Sequence, residues 1–383
     1  MKSLCTVVCG VLLGVAQSAS ALPHYNLSAI PEPEGGPQGL LQLGGFNNAG
    51  QLAGTWITAD IGATPYLYTP GTGFTSLLPP GEPAGGFDDW RVYGLNNNGQ
   101  AVGSRLDDAW QFAPGGGSAV PGTAAATRSN ASTLNDAGQV IGWADDRSYL
   151  YTPGQGSVTL PAGSWTIGLN NTGQALLGAG TGPLTELYRY DVATAAVTPI
   201  ALDPSLDPAG HAALNDRGDV MASQGFRLNL GVVVYHPDGS FTRLPDLFAG
   251  SSEQANDINN DGWVVGRALR DGPLPFDPVP FLYTPDGGMQ DLVALIDPST
   301  LQGWNYLTPL FVNDQGDIAG TGLFNGESKV FVLSSVAAPV PEPGTALLAG
   351  LGLVGVALGT RRRQAAASEA SRSRANQADL PVL

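Results

Sequence analysis

The stretch GLNNNGQAVG, Gly94–Gly103, decides how this chain folds, because close copies of it recur along most of the sequence. They are GGFNNAGQLAG (Gly44–Gly54), TLNDAGQVIG (Thr133–Gly142), GLNNTGQALLG (Gly168–Gly178), ALNDRGDVMA (Ala213–Ala222), DINNDGWVVG (Asp257–Gly266) and FVNDQGDIAG (Phe311–Gly320). The first Asn of each copy falls at Asn47, Asn96, Asn135, Asn170, Asn215, Asn259 and Asn313, at intervals of 35 to 54 residues. Asn and Asp tolerate left-handed backbone and fold their side chains into turns, and Gly supplies a positive φ. Each copy therefore reads as strand, tight turn, strand.

The rest of each unit supplies further strands. In the second copy WRVYGL and QAVGSR flank the turn, and AWQFAP (Ala109–Pro114) follows. Elsewhere the third strand is PYLYTPGTG, SYLYTPGQG or PFLYTPDGG, and FTSLLP or FTRLPDL stands fourth. Four strands in a unit of about 44 residues is the signature of a propeller blade. The expected fold is all-β, a seven-bladed β-propeller over residues 22–338. The seventh unit ends after a third strand, KVFVLSSV (Lys329–Val336), while HYNLSAIPEPEG near the start resembles a fourth. Tyr25–Ile30 is thus expected to complete the seventh blade, leaving no open edge.

The units resemble the extracellular HAF-repeat family, in which NNxGx[VI]xG is followed by an apolar FLYxPGxG strand. The resemblance covers most of residues 40–335. The His that gives that family its name is absent, since PYLY, AWQF and SYLY stand there. In a four-stranded blade the first-to-second and third-to-fourth turns share one face. The other two connections share the opposite face and read here as long and irregular, as in Pro79–Trp90 and Leu269–Pro280. Binding is expected on those loops. The chain leaves the propeller on the short-turn face, so a membrane tether is expected there, with the loops facing away.

Both ends lie outside the repeat. Lys2, the apolar run Leu4–Ala16 and an A-x-A site at Ala19–Ala21 read as a signal peptide over residues 1–21, cleaved before Leu22. The only two cysteines, Cys5 and Cys9, go with it, so the mature chain has no disulfide. Near the other end stand Pro341, Glu342 and Pro343, then an apolar stretch Ala346–Leu358, then Arg361, Arg362 and Arg363. That stretch reads as a short transmembrane helix, held by its arginines on the cytoplasmic side. This segment, 339–363, resembles the PEP-CTERM sorting signal of Gram-negative bacteria. The resemblance implies an exosortase as partner and an inner-membrane intermediate, followed by delivery to the cell surface or extracellular matrix. In that family the arginines usually lie close to the C-terminus, whereas here a polar tail, 364–383, follows and reads as disordered.

Between Leu22 and Ala338 there are 11 basic and 30 acidic residues, a balance that argues against nucleic acid as a partner. No H-E-x-x-H, G-x-S-x-G or cysteine site occurs, and the histidines are His24, His211 and His236. Asp257, Asn259 and Asp261 fit the opening of a calcium loop, but the residue twelve from its start is Ala268 where such a loop needs Glu, and the segment coincides with the repeat turn. Trp90, Trp165 and Trp304 would stack on sugar rings or pack between blades. The acidic pairs Asp88–Asp89, Asp107–Asp108 and Asp145–Asp146 would serve glycoside cleavage only if set about 5–9 Å apart across a cleft. The expectation is an exported, non-enzymatic surface or matrix protein that binds polysaccharide or a protein partner, without an obligate cofactor. A glycan-active enzyme and a purely structural spacer are the alternatives.

Overall fold

The computed structural model describes residues 22–33, 39–59, 62–81, 90–179, 185–205, 209–224, 231–269 and 278–336. The expected signal peptide, sorting segment, membrane helix and tail lie outside these residues. The described residues form seven four-stranded antiparallel sheets. Blade 1 comprises Gly39–Phe46, Leu52–Thr58, Gly62–Thr69 and Gly73–Ser76. Blades 2 to 6 repeat this order from Trp90, Ser129, Ser164, Ala209 and Ser252. First strands neighbour first strands around the whole ring, and Trp304–Val312 of blade 7 returns to Gly39–Phe46 of blade 1.

The repeat motif explains the inner hairpin of each blade. The glycine of its turn sits at positive φ in all seven copies, between 71° at Gly50 and 81° at Gly218, where a side chain would be strained. The last residue of the motif answers to a different constraint. A β-bulge kinks every first strand, and in six blades it lies close before the ring asparagine. The bulge brings a carbonyl so near that a Cβ at Gly103 would fall 1.8 Å from Arg91 O, and one at Gly142 1.9 Å from Asn130 O. Gly54, Gly266 and Gly320 are equally closed. At the same register position blade 4 has Leu177 opposite Thr166, and blade 5 has Ala222, where the bulge falls earlier, between Ala209 and His211.

A propeller has no single core. Seven apolar clusters lie between adjacent blades, such as Leu67 and Leu77 of blade 1 with Trp90, Val92 and Phe112 of blade 2. Blade 7 closes as the sequence predicts. His24–Ala29 pairs antiparallel with the strand ending at Val336, from His24 opposite Val336 to Ala29 opposite Phe331. Tyr25 and Leu27 are buried in the cluster between blades 6 and 7, and Ile30 in the one between blades 7 and 1. The Tyr25 hydroxyl donates to Gly316 O at 3.1 Å, and Lys329 pairs with Glu32. Burial, with the Asp317 charge nearby, pushes the Tyr25 phenol upward, so it stays protonated and able to donate.

One expectation needs correction. The second-to-third connections are not uniformly long: the hairpins at Leu106–Asp107, Asp145–Asp146 and Asn325–Gly326 are two-residue turns, with Leu106, Asp145 and Asn325 at positive φ. Asp107, Asp108, Asp145 and Asp146 therefore belong to tight hairpins rather than to open loops.

Three buried side chains at roughly 2 kcal/mol each make the closing strand a large share of the stability of its blade. Deletion of residues 22–32 is expected to lower the melting temperature by on the order of 10 °C. An unchanged melting curve would show that blade 7 does not depend on its borrowed strand.

Candidate functional site

The seven motif turns meet at the axis and build two stacked rings there. Each ring asparagine first closes its own turn: Asn47 Oδ1 accepts from Ala49 N at 3.1 Å and from Gln51 N at 2.9 Å. Its amide nitrogen then leaves the blade. Asn47 Nδ2 donates to Asn96 O, Asn96 to Asn135, Asn135 to Asn170 and Asn170 to Asn215, at 2.9–3.0 Å. Asn215 continues to Asn259, Asn259 to Asn313, and Asn313 back to Asn47 O at 3.1 Å. All seven asparagines are buried.

The next residue of each turn forms the second ring: Asn48, Asn97, Asp136, Asn171, Asp216, Asn260 and Asp314. The backbone N–H of each donates to the side-chain Oδ1 of the following one, at 2.7–2.9 Å, and the seventh bond, Asp314 to Asn48, closes the circle. Amides also hold the second carboxylate oxygens. Asp216 Oδ2 accepts from Asn171 and Asn260, Asp314 Oδ2 from Asn48 and Asn260, and Asp136 Oδ2 from Asn97. These residues line an axial cup of about 160 Å³. It is a rigid polar surface of amides and carboxylates, suited to hydrogen bonding and already paired within itself.

Asp257 lies just beyond the rings. Its Oδ1 accepts from Ile258 N and its Oδ2 from Val312 N of the next blade, both at 2.9 Å. Burial pushes its carboxyl up to about 7, against the pull of those two N–H groups, and Asp314 adds to the rise. An unfolded Asp titrates near 3.9. Between about pH 4 and pH 7 the folded group holds a proton that the unfolded one releases, so its contribution is fully present below that window and lost as pH rises through it.

The three calcium-loop candidates do not converge. Asp257 serves backbone donors, and Asn259 closes the turn and reaches Asn313. Asp261 lines a separate cavity. Among the described residues no group of three or more His, Asp or Glu is placed to hold a metal ion. Trp90 is 2% exposed and packs edge-on against Trp110, while Trp304 is buried against Phe331, so neither ring offers a face to a sugar. Trp165 packs half-buried against the cluster between blades 4 and 5. Asp88 and Asp89 lie outside the described residues. Asp107 pairs with Arg128, Asp146 with Arg147, and Asp145 caps Thr127 N and Arg128 N. The histidines are scattered: His211 Nε2 donates to Asn256 O, and His236 bonds Asp219 and Thr242. The inter-blade reach of the asparagine amides is absent from the sequence reading. Its signal was Asn at the first turn position in all seven copies, which the turn alone already explains.

Fold and rings define a closed seven-bladed β-propeller. Residues 339–363 match the PEP-CTERM protein-sorting motif, so this is a propeller that carries a sorting signal directly after its last strand. Two lyases are among the solved structures that resemble it. One is a streptogramin B lyase (TM-score 0.55, 11% identity), covering 82% of this chain and 98% of that one. The other is the virginiamycin B lyase from Staphylococcus aureus (TM-score 0.50, 8% identity), covering 82% of this chain and 100% of that one. At such identities the likeness is one of fold. No curated protein matches the chain. Among the described residues no helix is long and apolar enough to cross a membrane.

Two substitutions test this site. Asn170→Ala removes both the turn closure and the bond to Asn215 O, and is expected to cost about 1–3 kcal/mol in chemical denaturation; a loss below a few tenths would mean the ring bears no load. Asp257→Asn is expected to gain stability relative to the parent as pH is raised from 5 to 8. A difference that stays constant with pH would remove Asp257 as the titrating group.

Proposed function

We propose that the protein is exported, held at the inner membrane through its C-terminal segment and processed by an exosortase. It is then displayed at the cell surface or in the extracellular matrix, where the propeller binds extracellular polysaccharide or a protein partner without altering it. The observation that carries this reading is the placement of the sorting motif. It begins three residues beyond Val336, the end of the strand on which His24–Ala29 closes the ring. A self-contained domain is thereby joined directly to its address, and the whole chain reads as a display device. That strand ends on the turn face, where Ser335 N donates to Asp317 Oδ1 at 2.8 Å and Ser335 Oγ to Gln315 O at 3.2 Å. The acidic balance of the chain favours solubility outside the cell and disfavours polyanionic ligands.

The test begins with the full chain in its producing cells, compared with a variant carrying Ala at positions 361, 362 and 363. The parent is expected to mature to a shorter exported form and the variant to remain full-length in the membrane fraction. The matured protein is then mixed with the cells' own extracellular polysaccharide, with and without calcium. Co-sedimentation with unchanged polymer length is the expected result. Shortened polymer would make the protein an enzyme, and identical maturation of both chains would remove the sorting step.

A further inference from the structure

Blade 6 breaks the repeat at one position. Four residues after the ring asparagine stand Gln51, Gln100, Gln139 and Gln174 in blades 1 to 4, and each Gln Oε1 accepts from the amide of its own ring asparagine at 2.8–3.2 Å. Asp219 makes the same bond in blade 5. Blade 6 has Trp263, whose indole offers no acceptor. This aromatic is only half-buried, and its six-membered ring lies so close over Gly316 of blade 7 that a Cβ there would fall 2.6 Å from it.

Trp263 forms one wall of a cavity of about 470 Å³ on the turn face between blades 5 and 6, within the usual size range of small-ligand sites. Arg217, Asp261, Thr284 and Asp286 supply polar walls, and Leu22 and Pro23 border it from the closing strand. Arg217 is steadied by Asp219, 3.1 Å from its Nε. Asp261 and Asp286 are exposed, with their carboxylates available as acceptors. A flat indole beside carboxylates and a guanidinium, in an open polar cup, matches a pyranose. Its C–H face stacks on the ring while its hydroxyls meet charged acceptors and donors. Asp261 and Asp286, with Asp219 on Arg217, outnumber the guanidinium and the α-amino group that cleavage before Leu22 leaves at the rim, and so favour neutral or amino-bearing sugars over uronic acids.

We infer that the Trp263 cavity is a saccharide-binding site for neutral or amino sugars of an extracellular glycan. The inference rests on the proposed glycan-binding role and gives it a location. It places the site on the turn face, away from the long loops.

The repeat itself supplies the test variant. W263Q installs the residue that blades 1 to 4 carry and restores an acceptor for the Asn259 amide, which offsets part of the packing lost from the cluster between blades 6 and 7, so it is expected to fold with a cooperative melting transition. The matured protein is titrated with tetramers of glucosamine, N-acetylglucosamine and galacturonic acid, followed by indole fluorescence and calorimetry. The first two are expected to bind and the third not to. W263Q is expected to lose tenfold or more in affinity, and D261N to weaken glucosamine more than N-acetylglucosamine. Equal binding by a folded W263Q would overturn the site while leaving polysaccharide binding intact elsewhere on the propeller. Binding of none of the tetramers by the parent would overturn the site as well. Failure to bind the cells' own polysaccharide too would remove the broader reading along with it.

Discussion

One asparagine amide, used twice, holds this molecule together. Its oxygen takes the N–H groups of its own turn, and its nitrogen takes the backbone carbonyl of the next blade's asparagine. A buried polar group must find a partner, and each ring amide completes its pairing only on the backbone carbonyl of the neighbouring blade. Seven such bonds end where they began, from Asn313 to Asn47. The ring therefore links local turn chemistry to closure of the propeller, because an open circle would leave one cross-blade amide–carbonyl bond unmade at the axis.

The apolar side of the structure obeys the same circular logic. Each cluster is built from two blades, so no blade buries its own faces, and the last blade completes itself with a strand from the other end of the chain. Tyr25 joins the two systems. It is buried in the cluster between blades 6 and 7, and its hydroxyl reaches the carbonyl of Gly316 in the last motif turn. Closure of the sheet and closure of the ring are thus mechanically one event. It takes place at the strand whose end, Val336, precedes the sorting motif.

A scaffold that consumes its repeated polar groups in self-pairing leaves function to the positions where the repeat is broken. The second ring has three carboxylates, yet amide donors already occupy their outer oxygens. Trp263 departs from the pattern in the opposite sense, giving up a bond that blades 1 to 5 make and opening a half-buried aromatic to a polar cavity. The streptogramin and virginiamycin B lyases share the architecture at 11% and 8% identity, which carries the fold and no chemistry to this chain.

The sequence by itself determined what local and periodic physics can reach. The positive-φ glycine and the Asx turn define a hairpin, the spacing of seven hairpins defines the blades, and the missing fourth strand of the last unit points to Tyr25–Ile30. Contacts between residues 35 to 54 positions apart belong to the tertiary structure alone. It decided that the asparagine nitrogen leaves the turn for the next blade, and that Trp90 and Trp304 are core while Trp263 is accessible. It also decided that Asp257 spends its carboxylate on Val312 N of blade 7, where a calcium loop would have used it as a ligand. The physical reason is common to all three. A turn or strand is specified by its own residues, whereas burial and cross-blade pairing are set by whichever blade face the ring brings opposite, and no stretch of chain carries that information alone.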